Sequence, residues 1–100
     1  MVLHAVTITV DYEGNFSYEK GALRVKVGDS VCWVCPSGNF AVSFERSPFE
    51  DVHISGEQGA RSAALTVEDV PYGSYHYAVA VALGPRIWIN AGCPEIIVRK

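Results

Sequence analysis

No stretch of this sequence comes near the ~20 consecutive apolar residues that a membrane-crossing helix needs. Its start, Met1-Val2-Leu3-His4-Ala5-Val6-Thr7, also lacks the basic residues and unbroken apolar run of a secretory signal. The chain therefore reads as soluble and cytoplasmic, with no membrane partner. Basic residues are few: eight Lys and Arg stand against eleven Asp and Glu, for a formal net charge of −3, and they are scattered without forming a stripe. Nucleic-acid binding relies on clustered cations, so a polyanion partner is disfavoured. Cysteines number three, an odd count that fits reduced thiols better than a disulfide-stapled secreted domain. A glycine-rich phosphate loop, a His-x-His metal pattern and a distinctive Ser, His and Asp set are all missing, so the expectation is a non-enzymatic protein without a cofactor.

Apolar residues are plentiful and recur with a period of two. A hydrophobic share of 49% against 19% charged places the chain among folded globular sequences, and 100 residues suffice for one modest core, so residues 1–100 are expected to form a single domain. Val2, His4, Val6, Ile8 and Val10 share one face of a first strand. Short strands follow at Phe16 to Tyr18, Ala22 to Val27, Ser30 to Cys35 and Phe40 to Phe44. Across Gly28-Asp29, the segments Val25-Lys26-Val27 and Val31-Cys32-Trp33 read as a half-buried hairpin. From Glu45 to Arg61 neither period holds, which predicts a long surface connection with one helical turn near Phe49 to Val52. Strands resume at Ser62 to Val67, Gly73 to Val81, Arg86 to Asn90 and Glu95 to Arg99. Seven to nine short strands with turn signals between them predict an all-β, antiparallel Greek-key sandwich or barrel.

Three of these pieces in this order, Val25-x-Val27-Gly28-Asp29-x-Val31-x-Trp33, Phe40-x-Val42-x-Phe44 and Gly73-x-Tyr75-x-Tyr77, followed by Ile96 to Val98, resemble the skeleton of the cupredoxins, the blue-copper Greek-key sandwiches. The resemblance implies a copper site of two His, one Cys thiolate and a weak axial Met. At the matching positions this chain carries Phe40 for the first His, Val79 for the Cys, Ala82-Leu83-Gly84 for the second His, and Gly92 and Cys93 where the Met would stand. What it implies is thus a cupredoxin-like domain without type-1 copper, the vacated site packed shut by an aromatic and an aliphatic side chain. Glu68-Asp69-Val70-Pro71-Tyr72-Gly73-Ser74-Tyr75 also resembles the corner of immunoglobulin-like domains in which a Tyr hydroxyl pins a turn. The Gly-Asp between Val-rich strands favours the cupredoxin arrangement.

Chemistry-bearing residues are sparse. Cys32-x-x-Cys35 lies on a strand, without the helix N-terminus of a redox pair or the second pair of a zinc site, and reads as small apolar filler. Cys35 and Cys93 both sit beside a proline in loops that this topology brings to one end, so a redox or metal site built on them is the alternative function. The leading expectation is a metal-free module for protein contact or self-association. Its surface would lie where copper would have sat, at Phe40, Pro85, Ile87 and Trp88, because Trp is a frequent anchor of protein interfaces.

Overall fold

The structure, a computed structural model, describes residues 1–92 and 94–100. Ten strands are present among them: β1 Leu3–Val10, β2 Phe16–Glu19, β3 Ala22–Val25, β4 Ser30–Val34, β5 Phe40–Phe44, β6 His53–Gly56, β7 Leu65–Thr66, β8 Gly73–Leu83, β9 Arg86–Asn90 and β10 Glu95–Val98. One sheet has the order β2-β1-β4-β7. The other runs β3-β10-β8-β5-β6, with β9 paired to the far half of β8. Alternation decides which side chains meet between them. Val6, Ile8, Val10, Val31 and Trp33 face inward from the first sheet, and Val25, Phe40, Val42, Tyr75, Tyr77, Val79, Val81, Ile96 and Val98 from the second, all buried in one core. Its centre is aromatic: Trp33 meets Phe44, Phe49 and Tyr77 edge-on, at 6.2, 5.9 and 5.7 Å between ring centroids.

The sandwich is the expected one, and four features differ from expectation. First, β3 and β4 do not form a hairpin, because β3 lies in one sheet and β4 in the other. Asp29 N bonds back to the Lys26 carbonyl at 3.0 Å and Gly28 takes a positive φ of 93°, so the chain crosses between layers instead of folding back within one. Val27, on this arch, is 42% exposed and does not share the buried face of Val25. Second, the sheets are mixed, since β1 pairs with β4 and β3 with β10 in parallel. Third, the connection after Glu45 is neither wholly on the surface nor helical. Phe49 is buried against Trp33 and Phe44, held by a turn in which Ser47 Oγ accepts from Phe49 N and donates to the Asp51 carbonyl. Residues 53–56 then form the additional strand β6, pairing with β5. Fourth, the strand expected from Ser62 shrinks to Leu65–Thr66, with Ala63 exposed.

Tyr75 does form the anticipated corner, its hydroxyl donating to the Pro71 carbonyl at 2.6 Å. That corner therefore belongs equally well to this strand order.

Candidate functional site

Strand β8 fixes the geometry of both ends of the molecule. Its eleven residues run from Gly73, opposite Val98 of β10, to Leu83, opposite Arg86 of β9, along a molecule 41 Å in its longest dimension. Toward the Leu83 end lie Phe40, Val79 and Ala82-Leu83-Gly84 of the positions that the cupredoxin resemblance singled out, whereas Gly92 lies further back, its carbonyl 3.1 Å from His76 Nδ1. The Val79 position does not end a strand there. Instead β8 continues through Ala82 and Leu83, turns at Gly84-Pro85 and returns as β9, so a β-hairpin occupies the place of a ligand loop. Phe40 pairs with Val81 and Val42 with Val79, and all four side chains are buried. A Cβ on Gly56 would run into the Phe40 ring, so the bare glycine is what admits it. Carbon side chains at Phe40 and Val79 supply no lone pair to a metal. Among the described residues no three of His, Cys, Asp and Glu converge as a metal-binding group.

The expected contact residues separate into three environments. Phe40 is 4% exposed and belongs to the core, which corrects its placement on a surface: its strand alternates Phe40, Val42, Phe44 inward. Pro85 and Trp88, with Tyr12 and Arg86, line an open groove of about 440 Å³ at the hairpin tip. Trp88 is half-buried, its ring lying over Gly14, where a Cβ would stand 2.6 Å from Cε3, and the Arg86 guanidinium sits 5.9 Å from its ring centre. The indole N–H is buried without a hydrogen-bond partner. Ile87, by contrast, faces outward at 70% exposure, and Ile89 beside it at 69%. They stand opposite Ala82 and Ala80 of β8. Ile89 was within the stretch noted in the sequence but not chosen; the two-residue period starting from an inward Trp88 would have selected it with Ile87.

Cys35 is fully buried and Cys32 nearly so, both as free thiols. Cys93 lies outside the described residues, so the Cys35 and Cys93 pair is undescribed. His76 is exposed, with Nδ1 3.1 Å from the Gly92 carbonyl. Tyr77 has its ionisation pushed well upward by burial, and neither its hydroxyl nor the nearby Trp33 indole N–H closes a hydrogen bond.

The other end of β8 is polar. Asp29, 7% exposed, accepts at Oδ1 from Val2 N at 3.1 Å and at Oδ2 from Lys26 N at 3.1 Å, with His4 Nε2 3.0 Å from the same Oδ2. That last contact requires a proton on Nε2. The His4 hydrogen bond foremost, and then the two backbone N–H groups, hold the Asp29 carboxyl below the usual carboxylate range against the opposing effect of burial. Asp11 is lowered too, first by the backbone and side chain of Asn15, in an exposed turn.

No protein-family model and no curated protein matches the sequence. Among solved structures, a reduced Cu(I) form of an amicyanin variant at pH 4 is similar over 95% of this chain and 82% of its own, with a TM-score of 0.54 and 21% identity. The chain has a cupredoxin-like fold, and it carries non-coordinating side chains at Phe40 and Val79.

Proposed function

We propose that residues 1–100 act as a non-enzymatic, metal-free interaction module whose contact surface is the β8–β9 hairpin. One observation carries this reading: Ile87 and Ile89 stand exposed side by side on a strand that pairs on one edge only. Among the described residues, no backbone hydrogen bond reaches the far edge of β9. An exposed apolar edge strand is a template for strand addition, which supplies main-chain hydrogen bonds along the edge and side-chain burial on the face. The other edge strands of this sheet, β3 and β6, present Ala22 and Arg24, and His53 and Ser55, outward and offer no comparable apolar face. Neighbouring Arg86 and Trp88 add residue types enriched at interface hot spots.

The test is photo-crosslinking in living cells that express the protein, with p-benzoylphenylalanine at Ile87 or at exposed Glu57, together with sedimentation velocity over a range of concentrations. Crosslinks from position 87 and not 57, abolished by Ile89→Lys, support the module. A chain that stays monomeric at every concentration and crosslinks no better from 87 than from 57 is not an interaction module of this design.

A further inference from the structure

We infer that the end of the sandwich opposite the hairpin is a binding cleft for a small organic anion, one carboxylate or phosphate group carried on a short apolar body. The cleft, about 510 Å³, is lined by Arg24, Lys26, Arg99 and Lys100 together with Met1, Val2, His4, Val25 and Asp29. Four of the eight Lys and Arg of an acidic chain thus meet at one concavity, while ten of its eleven carboxylates lie elsewhere.

The fold brings them together by a specific device. Strands β3 and β10 run parallel, with Arg24 beside Ile97 and Val25 beside Val98, so both leave the sheet at the same end. Arg99 N then donates to the Val25 carbonyl at 3.0 Å, fixing the basic pair 99–100 alongside the basic pair 24 and 26. An antiparallel pairing would have sent Arg99 and Lys100 toward Ala22 instead.

These cations have no internal counter-charge. Among the described residues the one ion pair is His4 with Asp29, and none of the four cations is within 4.0 Å of a carboxylate. Asp29, the single acid in the lining, already has both oxygens occupied by Val2 N, Lys26 N and His4. Like charges gathered in a concave, partly apolar wall concentrate a positive potential, and an anion relieves their mutual repulsion. Met1 and Val2 supply the apolar wall, and the volume is that of a small-molecule site. The site shares no residue with the proposed contact surface, so either reading stands if the other fails.

The experiment is an NMR titration with octyl phosphate as probe, repeated with inorganic phosphate, and a flotation assay with phosphatidylglycerol vesicles. Saturable shifts are expected at the amides of residues 24–26 and 99–100. Arg24→Glu and Arg99→Glu should each weaken octyl phosphate about tenfold or more, while Arg61→Glu, exposed and outside the cleft, should not. Inorganic phosphate should bind the same amides at least about tenfold more weakly, for want of the apolar body. Flotation that Arg24→Glu abolishes would assign the anion to a lipid headgroup, and its absence together with octyl phosphate binding would assign it to a free molecule. No saturable shift with octyl phosphate, or an equal loss with Arg61→Glu, would overturn the site.

Discussion

At the hairpin end the sandwich is closed by carbon, with Phe40 seated over Gly56 in one core with Val79 and Val81, whereas at the opposite end it is closed by a carboxylate, Asp29, tied to the N-terminal segment at Val2 and His4 and to the arch at Lys26. The first closure depends on volume and is indifferent to protonation. The second depends on charge and gives way in acid.

Three substitutions would break or sharpen this contrast. Phe40→Ala should cost most, about 3–5 kcal/mol, since it removes a buried aromatic from a site that Gly56 shapes for it. Urea denaturation should show that loss unchanged between neutral and acid pH; a cost below about 1 kcal/mol would mean that the hairpin end is not closed by packing. Asp29→Ala should cost about 2 kcal/mol at neutral pH, through lost hydrogen bonds to a charged acceptor. Because the folded carboxyl ionises below the ordinary carboxylate range, its contribution is complete above that range and disappears as pH falls through the lowered folded value. The gap between wild type and variant should therefore narrow as pH falls below the ordinary carboxylate range, and a gap as wide in strong acid as at neutral pH would refute the assignment. The smallest effect belongs to Tyr75→Phe, about 1 kcal/mol, which deletes only the bond to the Pro71 carbonyl. Its loss should be independent of pH, setting the scale of a single neutral hydrogen bond against the charged group at Asp29.

Period-two patterning was sufficient to place nine of the strands and nearly all of the core, because each strand buries one face and leaves the other wet. What it missed shares a physical cause. Short β6 puts only one apolar side chain, Ile54, on its half-buried face beside Gly56, so the sequence carries no apolar alternation to detect. Phe49 is held in the core by a side-chain-bonded turn that has no period. The arch at Lys26 to Asp29 resembles a hairpin in sequence, since a Gly-Asp turn reverses the chain in either case; which sheet receives the next strand is decided by long-range bonds such as Val67 N to the Asp29 carbonyl. Of the expected contact residues, Ile87 and Trp88 are adjacent on a strand and so face opposite ways, Ile87 exposed and Trp88 half-buried, and Phe40 points inward with Val42 and Phe44. The basic cleft was invisible for a different reason: Arg24 and Lys26 lie far along the chain from Arg99 and Lys100, and only parallel pairing makes them neighbours.

That parallel pairing also governs how the protein must be made. Strand β10 is not an edge: it is inserted between β3 and β8, so Ala22 waits for Glu95 across most of the sequence. Until residues 95–98 have emerged from the ribosome, β3 has no partner and the second sheet has a gap through its middle. Closing so distant a contact carries an entropic cost that no local contact offsets in advance, which makes for slow folding.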